Sequence, residues 1–208
     1  RGGVQSDVTV TRIAEDKFWV VTGSGFIGND LAWLQMKTEP EEHVSFRDIT
    51  LDYACLALWG PKARDVLSKA TSDVVTNEAF PYLTPKFIAI NGVPVWAQGV
   101  SYVGEMGWEL YVPNHRALMV WDILFEAGKA FGMEVGGYKV LDSLRLEKGY
   151  RYYTTDVTPL ETPYEAGLGF CVHLDKGDFI GKDSLIEKKR NGFSTKLCTL
   201  ILDSEAFT

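Results

Sequence analysis

The sequence predicts an α+β fold in which largely antiparallel sheets pack against helices. Several runs alternate apolar and polar residues with the period of two that strands show, and other runs carry apolar residues at helical spacing. Strand pairs joined by short turns outnumber the long crossovers that a parallel sheet needs. The 208 residues, 46% of them hydrophobic, suffice for a substantial core.

The first predicted elements are two strands and a short helix. Residues 7–13 alternate in polarity, residues 14–17 form a polar turn, and residues 18–22 form a second, more apolar strand. A glycine-rich turn follows, and residues 30–37 carry the apolar positions of a helix. The chain is therefore expected to open with a hairpin and a helix.

More strands and helices are predicted in the middle of the chain. Residues 49–59 read as a strand, and Pro61 suits the first turn of the helix that follows. Asn91-Gly92 lies between two apolar runs and is the strongest short signal for a hairpin. After a strand at residues 108–112, two helices are predicted. The first of them is expected to bury Leu118, Trp121, Leu124 and Phe131.

The composition changes beyond Pro159, where glycines interrupt short apolar runs. We therefore predict one α+β region at residues 1–166 and the incomplete beginning of a mostly β module at residues 167–208. The chain opens at Arg1 and closes near a strand-like run at residues 196–202, so we expect a fragment of a longer polypeptide.

Composition argues against several classes of function. The formal charge of −7 disfavours general binding to nucleic acid or to an anionic membrane, since both require a basic surface. No apolar run approaches the ~18 residues of a transmembrane helix. Three widely spaced cysteines predict no disulfide framework and favour a reducing compartment. The three histidines are scattered, so no metal site is expected.

Gly23-Ser24-Gly25-Phe26-Ile27-Gly28 is a literal G-x-G-x-x-G, and Asp48 follows 20 residues after its last glycine. Such a motif can present backbone N–H groups to a dinucleotide. Its preceding strand, however, is the second of a predicted hairpin, whereas the fingerprint belongs to a parallel βαβ unit. We favour a structural turn and keep a Rossmann oxidoreductase as an alternative. Antiparallel pairing of residues 7–9 with 18–20 would exclude that alternative.

Polar residues gather at glycine-rich strand edges. Residues 101–111 contain two tyrosines, two carboxylates and two glycines, and residues 144–153 combine charges with three tyrosines at a helix end. Asp7 lies just past Gly2-Gly3. From the residue chemistry alone, a solvated surface and a functional site remain equally open.

These stretches resemble the folate-binding region of the glycine-cleavage T-protein (aminomethyltransferase) superfamily. They are most similar to the T-protein-like C-terminal half of sarcosine and dimethylglycine dehydrogenases. The matching stretches are Gly2-Gly3-Val4, Asp7-Val8-Thr9-Val10, Val21-Thr22-Gly23-Ser24-Gly25, Leu56-Ala57-Leu58-Trp59-Gly60-Pro61, Tyr102-Val103-Gly104-Glu105-Met106-Gly107-Trp108-Glu109, Leu144-Arg145-Leu146-Glu147-Lys148-Gly149, Thr162-Pro163-Tyr164-Glu165-Ala166-Gly167-Leu168 and Asp178-Phe179-Ile180-Gly181-Lys182.

The resemblance implies a T-protein-like folate-binding fold at residues 1–166 and the start of a C-terminal β-barrel at residues 167–208. It implies tetrahydrofolate as cofactor, and FAD in a flavin domain of the same polypeptide that is not in this chain. The implied location is the bacterial cytoplasm or the mitochondrial matrix.

The resemblance also assigns roles to four residues. The Asp7 position holds the family's catalytic aspartate, next to the N5 nitrogen of the folate. Glu109 would grip the pterin ring, and Tyr102 and Tyr153 would line the pocket. One position departs from the pattern: Leu141 stands where the T-proteins carry an arginine. This departure favours the dehydrogenase branch, because leucine can neither pair with an anion nor donate a hydrogen bond.

The implied function is capture by tetrahydrofolate of the iminium that forms when an N-methyl amine is oxidised. The product would be 5,10-methylenetetrahydrofolate. Three alternatives remain: a glycine-cleavage-type aminomethyltransferase, a non-catalytic regulatory subunit that retains the fold, and the Rossmann oxidoreductase.

Overall fold

The computed structural model describes residues 1–203, which divide into two compact units. One unit is formed by Arg1–Glu39 together with the chain from Arg151 onwards, and the other by Pro40–Tyr150. The α+β class with antiparallel sheets is confirmed.

The first unit contains a two-stranded antiparallel hairpin and two helices. Strand β1 (Thr9–Ala14) pairs with β2 (Lys17–Val21), with Thr9 opposite Val21 at the open end. The helices are α1 (Ile27–Lys37) and α5 (Lys182–Asn191). Because β1 and β2 are antiparallel, Gly23 to Gly28 does not follow the first strand of a parallel βαβ unit. The structure thus excludes the Rossmann alternative.

The second unit is a four-stranded antiparallel sheet with three helices. The strand order is β3-β6-β5-β4. The strands are β3 (Tyr53–Trp59), β4 (Pro85–Ile90), β5 (Val93–Gln98) and β6 (Gly107–Pro113), and the helices are α2 (Ala63–Ala70), α3 (Ala117–Gly128) and α4 (Tyr138–Glu147). Asn91-Gly92 forms the turn between β4 and β5, with both residues at positive φ, so the predicted hairpin is confirmed.

The core of the second unit lies on one face of this sheet, where α2 and α3 pack. Trp108, Leu110 and Val112 of β6 all belong to it. Since side chains alternate along a strand, Glu109 and Tyr111 lie on the opposite face. The alternation in β6 therefore separates the side chains of the core from those of the other sheet face.

Helix α3 is rotated relative to the sequence prediction. Leu118 and Trp121 are 74% and 40% exposed, whereas Val120, Leu124 and Ala127 are buried. The prediction that Leu118, Trp121 and Phe131 are buried is wrong, since Phe131 is exposed as well. The helix carries apolar residues on most sides, so their spacing alone does not select the buried face.

The region after residue 167 holds a single-turn 3-10 helix and α5 in the part that is described. No strand is assigned over residues 196–202, although the amide of Leu197 donates to the carbonyl of Glu165. Residues 204–208 of the predicted β module lie outside the described residues. The predicted β-barrel beginning at residue 167 stays a prediction. No helix in residues 1–203 has the length and apolarity needed to span a membrane.

Candidate functional site

Glu109 lies in the middle of the sheet, on the face opposite the core. Its neighbours across the strands are Ala57 of β3 and Gln98 of β5. Gln98 is only 2% exposed, whereas Ala57 is exposed and Glu109 is half-buried. The carboxylate thus lies between a buried polar side chain and a small, open one, which leaves room beside it on the β3 side.

Tyr111 holds the carboxylate of Glu109. The phenol O–H donates to Oε2 of Glu109 at 2.5 Å, from two residues farther along the same strand face. Desolvation raises the pKa of Glu109, and the hydrogen bond from Tyr111 opposes this rise. The pKa of Tyr111 is itself raised by desolvation and by the charge of Glu109, so its phenol stays a donor.

Cys55 lies directly across from Tyr111 on β3. It is an exposed residue of an edge strand, and yet desolvation by neighbouring side chains raises the pKa of its thiol, with the charge of Glu109 adding to the effect. The thiol is therefore protonated at neutral pH and is a poor nucleophile.

Tyr102 lies in the loop that leads from β5 into β6. It is half-buried, and its ring centroid is 6.2 Å from that of Tyr150. The loop is fixed near its start, where the indole N–H of Trp59 donates to the carbonyl of Val100 at 2.9 Å. Half-buried Tyr102 and exposed Tyr150 therefore form an aromatic pair next to the start of the strand that carries Glu109.

Gly107 sets the register of β6 against β3. It lies opposite Trp59, and a Cβ at this position would lie 2.1 Å from the carbonyl oxygen of Leu58. No side chain fits there, so only glycine permits this approach of the two backbones. The glycine places Glu109 opposite Ala57 two residues later.

Asp7 lies in the first unit, in the segment before β1. It is solvent-accessible, but the surrounding protein desolvates its carboxyl group enough to raise its pKa. Two of the three preceding residues make hydrogen bonds. The Val4 amide donates to the carbonyl of Glu161 at 2.9 Å, and the hydroxyl of Ser6 donates to Asp30 at 2.9 Å. Asp7 thus follows a fixed stretch of backbone.

Tyr153 supports this same segment. Its hydroxyl donates to the backbone carbonyl of Gln5 at 2.5 Å, and the ring of Phe26 meets it edge-on with centroids 5.5 Å apart. Desolvation and the negative charge of Asp30 raise the pKa of Tyr153. Within the first unit the structure therefore brings Tyr153 close to the segment that carries Asp7.

The four predicted site residues fall into two pairs. Asp7 and Tyr153 belong to the first unit, and Tyr102 and Glu109 to the second. Among the described residues, no group of three or more His, Cys, Asp or Glu side chains is placed to hold a metal ion.

Sequence reasoning missed Tyr111 and Asp30. The period of two on β6 could have indicated Tyr111, because it shares a strand face with Glu109. Asp30 carries a weaker signal, a lone carboxylate next to the apolar residue Leu31 in the first turn of a helix. Leu141, at the position of the T-protein arginine, is half-buried in α4.

Comparison with known proteins settles the family. The model of the GCVT N-terminal domain matches residues 1–176. The chain belongs to this family. Its structure superposes on the glycine cleavage system aminomethyltransferase T of Bartonella henselae with a TM-score of 0.75, at 27% identity, covering 92% of this chain and 50% of that one.

Curated relatives of this GCVT domain fall into two groups. The 4-methylaminobutanoate oxidase (formaldehyde-forming) of Paenarthrobacter nicotinovorans is 38% identical over 90% of the chain, and human mitochondrial dimethylglycine dehydrogenase 34% over 99%. An aminomethyltransferase of Caldanaerobacter subterraneus is 36% identical over 94%. The chain spans 23%, 24% and 52% of these three relatives, respectively. It is an aminomethyltransferase-like domain related to both groups.

Proposed function

We propose that this GCVT domain binds tetrahydrofolate and transfers to it the one-carbon unit of an iminium derived from an N-methyl amine. The observation that carries the proposal is the Glu109 carboxylate, held by Tyr111 on a half-buried sheet face in a chain of this family. Sarcosine and dimethylglycine represent the amine class. Two curated relatives at 34–38% identity carry the names of enzymes acting on such amines.

The residues around Glu109 fit a pterin. A pterin edge presents an amino group and a ring N–H side by side, which a carboxylate can accept with two parallel hydrogen bonds. Tyr111 occupies one lone pair of Oε2, and enough acceptor capacity remains for both donors. The exposed methyl group of Ala57 leaves space for a flat ring, and Tyr102 offers an aromatic surface.

Asp7 would act at the reacting centre. Tetrahydrofolate supplies two amine nitrogens that bond to the carbon, so iminium plus tetrahydrofolate gives 5,10-methylenetetrahydrofolate, the demethylated amine and one proton, without redox change. The Asp7 carboxylate can accept a hydrogen bond from the attacking amine, take up its proton and stabilise the cationic iminium. A raised pKa suits this exchange, because a base closer to neutrality both takes and returns the proton.

Oxidation of the amine is assigned to FAD in a flavin domain outside this chain. That domain is the proposed partner, in keeping with the longer dehydrogenases that share this GCVT region. The proposed location is the bacterial cytoplasm or the mitochondrial matrix; relatives from both kinds of source are known.

A glycine-cleavage-type aminomethyltransferase is the second candidate. The Caldanaerobacter relative and the Bartonella structure favour it. Leu141 opposes it, because the T-protein arginine at this position has no equivalent donor here. The intact Asp7, Tyr102 and Glu109 oppose a purely regulatory subunit.

Titration of the full-length protein with tetrahydrofolate tests the proposal. Glu109→Gln keeps the shape but aims a donor at the donors of the pterin, so affinity should fall by about 30- to 1,000-fold. Glu105→Gln is the matched control, because Glu105 is exposed and pairs with Lys148. Unchanged affinity in Glu109→Gln would remove Glu109 from the site. Methylenetetrahydrofolate formed only from an aminomethylated carrier protein would favour the second candidate.

A further inference from the structure

We propose that Asp30 is a positioning residue that fixes the segment carrying Asp7 for one-carbon transfer. The inference rests on the proposed function and adds to it a carboxylate with no assigned role. Asp30 lies in the first turn of α1 and is 7% exposed. A carboxylate buried this deeply is costly unless it accepts hydrogen bonds or pairs with a charge.

Two hydroxyl groups from different parts of the chain meet at one oxygen of Asp30. Ser6 donates to Oδ2 at 2.9 Å, and Thr22 donates to the same atom at 2.5 Å. Ser6 directly precedes Asp7, and Thr22 directly follows β2. The carboxylate therefore joins the segment before β1 to the segment after β2.

This connection begins where the backbone pairing stops. The last pair of the β1–β2 ladder at this end is Thr9 opposite Val21. Beyond it the two segments have no ladder bonds, and Ser6 is held instead by its hydrogen bond to Asp30, which helix α1 carries. Without this hydrogen bond, Ser6 and Asp7 would be held less firmly at the open end of a two-stranded hairpin, which is marginally stable alone.

A second contact supports the same role. Tyr153 holds the carbonyl of Gln5, on the other side of Ser6. The charge of Asp30 reaches the phenol of Tyr153, where it contributes to the raised pKa. Gln5 and Ser6 are thus fixed from two directions. Displacement of a catalytic group by about 1 Å can cost on the order of 100-fold in rate, so such fixation has a catalytic consequence.

The test compares four variants of the full-length protein. Asp30→Ala removes the shared acceptor, and Ser6→Ala removes the donor next to Asp7. Asp30→Asn keeps an oxygen that can accept both hydroxyls, and Thr22→Val removes the donor that is remote from Asp7. Each is assayed with the amine substrate for methylenetetrahydrofolate and for formaldehyde, which forms when the iminium is hydrolysed instead.

Asp30→Ala and Ser6→Ala should lower the ratio of methylenetetrahydrofolate to formaldehyde by about 10- to 100-fold. Their rate of amine oxidation should stay at the level of the unmutated protein. Asp30→Asn and Thr22→Val should keep the ratio within about 3-fold. An unchanged ratio in Ser6→Ala, or an equal loss in Thr22→Val, would overturn the positioning role.

Amide hydrogen exchange provides a readout that does not depend on activity. Exchange of the Val4 amide, which donates to the carbonyl of Glu161, should be faster by about 10-fold in Ser6→Ala and Asp30→Ala, and unchanged in Thr22→Val. Unchanged exchange in Ser6→Ala refutes the inference even if Asp30→Ala folds poorly, since Ser6→Ala removes only one half-buried hydroxyl. Failure of the unmutated protein to form methylenetetrahydrofolate would instead overturn the proposed function.

Discussion

Tyr111→Phe should weaken folate binding and move its pH dependence in a defined direction. The substitution removes one O–H donor, 2.5 Å from Oε2 of Glu109, and leaves the ring in place. That hydrogen bond lowers the pKa of Glu109 against the desolvation that raises it. Without the bond, the pKa of Glu109 rises further, and less of the carboxylate is ionised at a given pH.

The magnitude follows from the environment of this hydrogen bond. A hydrogen bond to a charged group contributes about 1.5–3 kcal/mol when it is well buried. Tyr111 is buried, but Glu109 is only half-buried. We therefore expect this hydrogen bond to contribute about 1–2 kcal/mol, near the lower end of that range. At pH 7 this corresponds to a loss of about 5- to 30-fold in affinity for tetrahydrofolate.

Calorimetric titration with tetrahydrofolate between about pH 5 and 8 is the appropriate assay. The acid limb of the affinity profile should lie at higher pH in Tyr111→Phe than in the unmutated protein. Tyr82→Phe is the control, because this substitution removes the same phenol oxygen elsewhere in the second unit, from a side chain that is 63% exposed. Superimposable profiles for Tyr111→Phe and the unmutated protein would show that Tyr111 does not act through Glu109.

Three further predictions concern the register of the sheet, the first unit and the catalytic step. Gly107→Ala should destabilise the protein by about 1–3 kcal/mol in denaturant unfolding, because its Cβ would overlap the Leu58 carbonyl; Gly25→Ala, with open space around the new atom, should not. The hydrogen bond from Lys188 and those from Thr162 lower the pKa of Glu165 to about 2. The stability from Glu165 is therefore present above the unfolded pKa of about 4.3 and is lost as the pH falls through about 2. Lys188 is partly exposed, so solvent screens the interaction, and Glu165→Gln should cost about 1–2 kcal/mol at pH 7 and less than about 0.5 kcal/mol at pH 2. An equal cost at both pH values contradicts this. Asp7→Asn should reduce methylenetetrahydrofolate formation by about 10²–10⁴-fold while amine oxidation continues and formaldehyde accumulates, and an unchanged product ratio would leave Asp7 as an ordinary surface residue.

Local signals in the sequence predicted the local parts of the fold. Asn91-Gly92 specifies its hairpin because both residues adopt positive φ readily. The alternation in residues 7–13 and 18–22 predicted the β1–β2 hairpin. Because its strands are antiparallel, the hairpin rules out the interpretation of Gly23 to Gly28 as a dinucleotide-binding motif.

Contacts between distant residues were beyond the reach of these signals. Asp30 receives Ser6 from 24 residues earlier, and Tyr153 reaches Gln5 across 148 residues. No periodicity within one element encodes such pairs. The prediction of the buried face of α3 failed for a related reason. The apolar surface of this helix is wide, and the sheet against which it packs decides which part of that surface is buried.

The 148-residue separation between Tyr153 and Gln5 also has a consequence for synthesis of the chain. At roughly 5–20 residues per second, Tyr153 leaves the ribosome about 7–30 s after Gln5. During this interval the second unit can form its own sheet, whereas the carbonyl of Gln5 lacks the hydroxyl that holds it in the complete fold. The segment that carries Asp7 therefore reaches its final contacts late in synthesis.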